Sequence, residues 1–283
     1  RQRQMCIRDR IASDMDDTLL NSRNEISSGN AAAIHRALEA GLQVLIATGR
    51  MYVSAKPYVD KLGLDIPLIS YNGALVKGNK SGEVFYEHPL RWETSREVLA
   101  YCRKKGYYIQ AYIDDALWVK ELTPFSAAYT KISGIPATPV GDRLYDLPRA
   151  PYKLLVMTRE GEFKDAWEDI QTTFSGSVVV TSSKDNFLEL MEPGVNKWQA
   201  VTAVAERYGI GADEIMCIGD SNNDLSMIQN AALGVAVANA KPAVKAAAKW
   251  VTGDHDADGV AEAIDKLLHL SLIHISEPTR LRR

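Results

Sequence analysis

The chain has 283 residues, of which 46% are hydrophobic and 24% are charged, and its formal net charge at pH 7 is −3. This composition is typical of a globular protein with one large or two medium domains, and no apolar run approaches the ~20 residues of a membrane span. No long Lys/Arg cluster is present, which disfavours nucleic acid and anionic membranes as partners. Three cysteines without a CxxC pair favour a reducing compartment, so we expect a cytoplasmic protein.

Both ends of the chain resemble translated sequencing adapters. Residues 1–10 end in Met-Cys-Ile-Arg-Asp-Arg, and residues 270–280 read Leu-Ser-Leu-Ile-His-Ile-Ser-Glu-Pro-Thr-Arg. The two segments resemble the translations of two opposite adapter ends. We therefore predict that residues 1–10 and 270–283 are adapter-derived tails, and we leave them out of the functional reasoning.

The predicted elements begin with an apolar run, Ile11–Ser13, that stops at Asp14. Since this run is too short for a central strand, upstream residues must complete it, and the guanidinium of Arg8 or Arg10 is expected to meet the interior. Helices and strands then alternate, with a helix from Ser27 or Ser28 to Leu38, a strand at Leu42–Ala47, a helix at Val53–Leu62 and a strand at Ile66–Ser70. This order predicts an α/β fold with a parallel, doubly wound sheet.

The same alternation returns late in the chain. It consists of a helix at Lys197–Tyr208, a strand at Ile215–Ile218, short strands at Leu233–Val237 and Trp250–Val251, and a closing helix at Val260–Leu268. Between about Gly82 and Glu189, strand-like and helical stretches mix with many Tyr and Trp residues, which indicates an inserted α+β domain. We therefore predict a core domain of residues 11–81 and 190–269, interrupted by a domain of residues 82–189.

Four polar motifs fall at the ends of predicted strands or at the starts of helices, where open α/β sheets bind ligands. The first is Asp14-Met15-Asp16-Asp17-Thr18. Its carboxylates Asp14 and Asp16 can face one crevice, where one attacks phosphorus and the other transfers a proton. The second, Thr48-Gly49, offers a hydroxyl and a backbone N–H to phosphate oxygens. Taken alone, each motif also fits an ordinary turn or a helix cap.

The third motif is Lys197, which opens a helix after Glu192-Pro193-Gly194-Val195-Asn196. A fixed positive charge beside a helix N-terminus favours phosphate. The fourth is Gly219-Asp220-Ser221-Asn222-Asn223-Asp224, whose carboxylates suit Mg²⁺. A solvated surface lysine and a polar loop are the alternatives for each of these motifs taken alone.

In the order DxDxT, TG, K and GDxxND, the four motifs resemble those of the haloacid dehalogenase (HAD) superfamily. The inserted domain resembles the class IIB α+β cap of its Cof-type sugar-phosphatase branch. The segments Tyr71-Asn72-Gly73-Ala74 and Glu189-Leu190-Met191-Glu192-Pro193 are similar to those that flank this cap. The resemblance extends over about residues 11–268, with Trp198 at a position where glycine is commoner.

The resemblance implies a Mg²⁺-dependent phosphatase that acts on a small phosphorylated metabolite. Asp14 would attack phosphorus to form an aspartyl-phosphate, and Asp16 would protonate the leaving oxygen and then deprotonate the attacking water. The resemblance also implies the binding residues. These are Asp14, Asp220, Asp224, Asn223 and the backbone carbonyl of Asp16 for the metal, and Thr48, Gly49, Lys197 and Asn223 for the phosphoryl oxygens.

Two other interpretations stay open at this point. A phosphotransferase or sugar phosphomutase would share every motif, although the inserted domain shows no extra basic cluster for a second phosphate. A non-enzymatic module that binds phosphorylated ligands would tolerate the loss of Asp14 or Asp16, and both are present. Dehalogenation is disfavoured because that chemistry has no need of Asp16.

Overall fold

A computed structural model of the protein describes residues 10–276. The remainder of the two predicted tails, residues 1–9 and 277–283, lies outside the described residues. Within the description, Arg10 begins the first strand and residues 270–276 continue the last helix. None of the helices in this part of the chain has the length and apolar character that a bilayer crossing demands.

The described chain alternates strands and helices. The strands are β1 (Arg10–Asp14), β2 (Gln43–Ala47), β3 (Pro67–Ser70), β4 (Leu75–Gly78), β5 (Val84–Glu87), β6 (Tyr108–Ile113), β7 (Ala116–Val119), β8 (Ala137–Pro139), β9 (Lys153–Met157), β10 (Val179–Lys184), β11 (Phe187–Met191), β12 (Ile215–Gly219), β13 (Leu233–Ala236) and β14 (Trp250–Val251). The α-helices are α1 (Ser28–Glu39), α2 (Tyr52–Asp60), α3 (Trp92–Lys105), α4 (Pro124–Ser133), α5 (Phe163–Thr173), α6 (Lys197–Arg207), α7 (Leu225–Asn230), α8 (Pro242–Ala247) and α9 (Gly259–Ser276).

The first sheet has eight strands in the order β14-β13-β12-β1-β2-β3-β4-β5. The strands from β14 to β3 are parallel neighbours, which confirms the predicted α/β fold. β4 and β5 extend the sheet in antiparallel pairing, a feature that the sequence did not predict. Only residues 71–74 separate β3 from β4, and a parallel crossover needs a dozen residues or more, so the chain turns back as a hairpin.

The second sheet has six strands in the order β10-β11-β9-β6-β7-β8. The strand pairing departs from the predicted domain limits in two places. The sequence predicts β5 within the inserted domain, yet β5 pairs with β4 of the first sheet. β11 crosses the predicted limit between residues 189 and 190, and it pairs with β9 and β10 of the second sheet. The chain therefore changes sheets after β5 and after β11, and we propose that the inserted domain extends from about residue 88 to residue 191.

Apolar side chains form two buried clusters, and the larger one extends from the first sheet onto one face of the second sheet, where it contains Leu155 of β9. The larger includes Ile11, Leu45 and Ile218 of the adjacent strands β1, β2 and β12, and the smaller includes Leu99 of α3 and Leu154 of β9. The strands β1 and β12 are buried along their whole length, as expected of central parallel strands covered on both faces. This packed layer fixes the positions of the side chains that follow the strands.

The central strands bring the predicted site residues to one edge of the first sheet. β1 lies between β12 and β2 and is parallel to both, with Asp14 opposite Ala47. The carboxyl ends of the three strands therefore meet. Asp14 ends β1, Thr48 follows β2 and Asp220 follows β12.

Arg10 confirms the expectation that a guanidinium enters the interior, because only 1% of the residue is exposed. Its Nη2 donates to Oε1 of Gln43, and its guanidinium carbon lies 5.2 Å from the centroid of the Tyr208 ring. Nε and Nη1 have no hydrogen-bond partner among the described residues. Burial lowers the pKa of Arg10 to about 10, although the nearby Tyr208 acts in the opposite direction. Arg8, the other candidate, lies outside the described residues.

Replacing Arg10 by leucine is expected to raise the melting temperature by about 2–4 °C, the shift that a gain of ~1 kcal/mol produces in a chain of this size. The reason is that leucine removes from a central strand a buried cation with two nitrogens that lack hydrogen-bond partners among the described residues. Thermal unfolding followed by circular dichroism measures the shift, and Arg23→Leu, at an exposed position, is the control. A lower melting temperature for Arg10→Leu would mean that the contacts with Gln43 and Tyr208 outweigh the cost of burial.

Candidate active site

A buried lysine joins the two separated parts of the first sheet. Lys197 is the first residue of α6, whose N-cap is Asn196, and it is fully buried. Its Nζ donates to Oδ1 of Asp14 and, at 2.6 Å, to Oδ1 of Asp224. Asp14 is buried as well, with 4% of the residue exposed. The structure therefore brings together the first, third and fourth predicted motifs.

The loop after β12 is folded around Asp224. Oδ2 of Asp224 accepts hydrogen bonds from the backbone N–H groups of Asp220, at 3.1 Å, and Ser221, at 2.9 Å. A Cβ atom at Gly219 would lie 2.6 Å from Cβ of Asp224, so this close approach requires glycine. Thr18, the last residue of the first motif, donates its hydroxyl to Oδ1 of Asp220 at 3.2 Å. These contacts hold the Asp220 side chain beside Asp14.

Three carboxylates converge at this point. Oxygen atoms of Asp14, Asp220 and Asp224 all lie within 4.8 Å of one another. Hard oxygen donors of this kind suit Mg²⁺, and zinc sites are usually built from Cys and His. The donor set in the described part of the chain therefore fits the predicted magnesium ion.

The electrostatics of the cluster also fit a divalent cation. Three carboxylates face the single ammonium of Lys197. Burial, followed by the charge of Asp224, raises the pKa of Asp14 well above its ordinary value. The same two causes raise the pKa of Asp220 to about 6. A divalent cation would neutralise this excess negative charge and would keep both carboxylates ionised.

Asp16 lies outside the carboxylate cluster because Arg50 binds its side chain. Nε of Arg50 is 2.9 Å from Oδ1 and 3.0 Å from Oδ2 of Asp16, and Nη2 donates to Oδ1 as well. The guanidinium of Arg50 also lies over the Tyr58 ring, 4.9 Å from its centroid. The sequence prediction did not include Arg50 in the site. Arg50 directly follows Thr48-Gly49, and this position could have indicated that it belongs to the site. The planar guanidinium of an arginine there can bind a nearby carboxylate with two nitrogens.

Thr48 and Gly49 take the positions predicted for them at the end of β2. The hydroxyl of Thr48 donates to Oδ2 of Asp16 at 3.2 Å and accepts from the backbone N–H of Arg50 at 3.1 Å. A Cβ atom at Gly49 would lie 2.8 Å from Oδ1 of Asn72, so the absence of a side chain lets Asn72 approach. The Thr48 hydroxyl, which is predicted to bind phosphate, therefore also donates a hydrogen bond to the Asp16 carboxylate.

The loop between β3 and β4 adopts a strained backbone. Tyr71, Asn72 and Gly73 have φ angles of 52°, 55° and 111° in succession. Each non-glycine residue in this region costs about 1–3 kcal/mol, and such strain persists only where surrounding contacts impose it. A Cβ atom at Gly73 would lie 2.3 Å from the carbonyl oxygen of Asn196, so the loop is pressed against the start of α6.

This loop places Asn72 in a hydrogen-bond network between the two sheets. Asn223 donates through Nδ2 to Oδ1 of Asn72 at 3.0 Å, and Asn72 donates through Nδ2 to Oε2 of Glu189 at 3.0 Å. Lys153 donates to Oε1 of Glu189 at 2.9 Å. The sequence prediction included Asn223 but none of the other three, although Asn72 and Glu189 stand in the two segments that resemble the flanks of the cap.

A cavity of about 800 Å³ lies between the two sheets. On the side of the first sheet its lining includes Asp14, Asp16, Gly49, Arg50, Asn72, Asp220 and Asn223. On the side of the second sheet it includes Tyr129, Lys153, Trp167, Lys184, Phe187 and Glu189. The volume is in the usual range for a small-molecule site. One wall therefore carries the candidate reactive groups, and the other carries aromatic rings and an ion pair.

The chain is similar to phosphatases over nearly its whole length. It is 32% identical to the 5-amino-6-(5-phospho-D-ribitylamino)uracil phosphatase YwtE of Bacillus subtilis, covering 91% of this chain and 97% of the relative. It is 26% identical to the pyridoxal phosphate phosphatase YbhA of Escherichia coli, covering 90% of this chain and 96% of the relative.

Among solved structures, a haloacid dehalogenase-like hydrolase from Bacteroides thetaiotaomicron has a TM-score of 0.83 and 31% identity, covering 92% of this chain and 99% of that one. The family model for haloacid dehalogenase-like hydrolases matches residues 11–264. These matches confirm the resemblance that the four motifs predicted. The chain belongs to the haloacid dehalogenase-like hydrolase family.

Proposed function

We propose that this phosphatase hydrolyses a phosphate monoester of a small metabolite, with Mg²⁺ as its cofactor and Asp14 as its nucleophile. The observation that carries the proposal is the position of Asp14. It ends a central strand, contacts the ammonium of Lys197, and lies within 4.8 Å of Asp220 and Asp224. An attacking carboxylate needs nearby positive charge to approach an anionic phosphoryl group, and the ammonium and a metal ion bound by the candidate ligands around Asp14 can provide it.

The first step forms a bond between a carboxylate oxygen of Asp14 and phosphorus, and it breaks the bond from phosphorus to the leaving oxygen. Asp16, in its protonated form, donates a proton to that oxygen. In the second step Asp16 takes a proton from water, whose oxygen attacks phosphorus and releases the Asp14 carboxylate. The contacts of Asp16 with Arg50 and Thr48 give Arg50 the role of a positioning residue, since they fix the direction of the carboxylate.

The remaining groups bind the metal and the phosphoryl oxygens. Mg²⁺ supplies positive charge that offsets repulsion between the Asp14 carboxylate and the phosphoryl group. We assign its binding to Asp14, Asp220 and Asp224, with Asn223 and the backbone carbonyl of Asp16 in support. Lys197, Thr48, Gly49 and Asn223 hold the phosphoryl oxygens as negative charge spreads over them.

The substrate is a small phosphorylated metabolite, as the names of the two relatives state for those enzymes. The leaving group occupies the part of the cavity that the second sheet lines, and the inserted domain selects it by shape and polarity. We place the enzyme in the cytoplasm. The free thiols of Cys102 and Cys217, both buried, support a reducing compartment.

Hydrolysis of p-nitrophenyl phosphate is expected to stop after exhaustive chelation with EDTA and to return when Mg²⁺ is added. The all-oxygen donor set gives Zn²⁺ no softer ligand, so Zn²⁺ should restore less activity. Release of p-nitrophenolate after metal removal and replacement measures both effects. Full activity in the metal-free enzyme would exclude the proposed cofactor.

Asp14→Asn is expected to lower kcat by about 10³-fold or more, because an amide cannot form the acyl phosphate. The matched control is Asp17→Asn, which makes the same chemical change three positions along the loop at an exposed residue. Steady-state kinetics on p-nitrophenyl phosphate compare the two variants. A near-normal rate for Asp14→Asn would show that another residue attacks phosphorus.

Asp16→Ala is expected to slow the first step far more for an alkyl phosphate than for an aryl phosphate. An alkoxide needs protonation as it leaves, whereas a nitrophenolate is stable without it. Single-turnover formation of the phosphoenzyme from glucose 6-phosphate and from p-nitrophenyl phosphate measures the two losses. Equal losses for both substrates would contradict the role of Asp16 as general acid.

A further inference from the structure

An ion pair is buried in the cavity wall that faces the carboxylates. Lys153 lies on β9 and Glu189 on the neighbouring strand β11, and their side chains are only 3% and 8% exposed. Nζ of Lys153 is 2.9 Å from Oε1 of Glu189. Both residues line the cavity. Because the cost of taking two charges out of water can exceed the energy gained from their attraction, the pair is weak evidence for a purely stabilising role.

The pair combines one ammonium group with one carboxylate group, so it offers a ligand no net charge. Burial lowers the pKa of Lys153, but the negative charge of Glu189, the nearby Tyr129 and the hydrogen bond to Glu189 together outweigh burial, so the pKa is raised. The ammonium also lies 4.9 Å from the centroid of the Tyr112 ring. The two other lysines that line the cavity, Lys184 and Lys241, are exposed, so solvent screens them.

The pair is connected to the part of the site that holds the phosphoryl group. Asn72 donates to the second carboxylate oxygen of Glu189, and it accepts from Asn223, which is an assigned phosphoryl ligand. Two hydrogen bonds of 3.0 Å each thus connect the phosphoryl side of the cavity to Glu189. A leaving group attached to a phosphoryl group at Asn223 would therefore meet Glu189 and Lys153.

We propose that Lys153 and Glu189 form the leaving-group subsite and select neutral, hydroxyl-bearing leaving groups over those that carry a carboxylate or a second phosphate. A hydroxyl can accept a hydrogen bond from the ammonium and donate one to the carboxylate. An anionic leaving group would find the ammonium already neutralised and would meet the buried carboxylate of Glu189. This inference rests on the proposed phosphatase function.

The wild-type enzyme provides the first test. Glucose 6-phosphate and 6-phosphogluconate have carbon chains of the same length, but only the second has an anionic leaving group. We expect kcat/KM for glucose 6-phosphate to be about tenfold higher or more. Equal values, or a preference for 6-phosphogluconate, would overturn the inference without any variant.

Glu189→Gln provides the second test because it removes the carboxylate and leaves the ammonium of Lys153 unneutralised. The ratio of kcat/KM for 6-phosphogluconate to that for glucose 6-phosphate is expected to rise about tenfold relative to wild type. Glu160→Gln removes the same charge at an exposed position of the inserted domain outside the cavity lining, and it should leave the ratio unchanged.

The double variant Lys153→Gln with Glu189→Gln distinguishes the effect of the unpaired ammonium on substrate preference from the effect of losing the carboxylate. It removes both charges, so the gain for 6-phosphogluconate that Glu189→Gln produces should disappear. A gain that persists in the double variant would show that Lys153 does not bind the anionic group, and the inference would fail.

The proposed function and the subsite fail in different ways. An enzyme with Mg²⁺ that releases no phosphate from p-nitrophenyl phosphate would contradict the phosphatase proposal itself. An enzyme that hydrolyses p-nitrophenyl phosphate but does not distinguish the two sugar phosphates would contradict the subsite alone. A wild-type preference for glucose 6-phosphate, together with the expected rise in the relative kcat/KM for 6-phosphogluconate in Glu189→Gln, supports both the phosphatase function and the subsite.

Discussion

The ammonium of Lys197, buried between Asp14 and Asp224, is the interaction on which the arrangement of the site depends. An ammonium with no exposed surface requires compensating negative charge, since an unpaired buried charge costs about 3–5 kcal/mol. One of its partners is 183 residues away along the chain and the other is 27. The two separated parts of the first sheet must therefore come together before the lysine is satisfied, so the contact that assembles the reactive cluster also joins the fold.

The second constraint is the position of Asn72 between the two sheets. Its backbone is held in the left-handed region, its approach requires Gly49, and its amide contacts Asn223 on one side and Glu189 on the other. Here the inserted domain is joined to the reactive edge by side-chain hydrogen bonds. In the proposed mechanism the two sheets have different roles, because the first sheet supplies the reactive groups and the second supplies the groups that contact the rest of the substrate.

The sequence predicts the parallel strands of the first sheet and the polar residues at their carboxyl ends because both depend on local signals. Apolar runs that stop at Asp14, Thr48 and Asp220 mark strand ends, and parallel strands bring their carboxyl ends to one edge. The pairs Arg50–Asp16 and Lys153–Glu189 could not be read in the same way, since their members are 34 and 36 residues apart and lie on different elements. The limits proposed for the inserted domain differ from those predicted, because composition changes gradually along the sequence whereas strand pairing changes after β5 and after β11.

The contact between Gly73 and the start of α6 limits how the enzyme can evolve. A Cβ atom at residue 73 would clash with the carbonyl of Asn196. Asn196 immediately precedes Lys197 in the chain, and Gly73 immediately follows Asn72 in the loop. One added methyl group would push Lys197 and Asn72 apart. Lys153 and Glu189, by contrast, lie on strands of the inserted domain. If the proposed subsite is right, mutations at that pair change the preferred metabolite, whereas a mutation at Gly73 would disturb the groups proposed to bind both ends of the substrate.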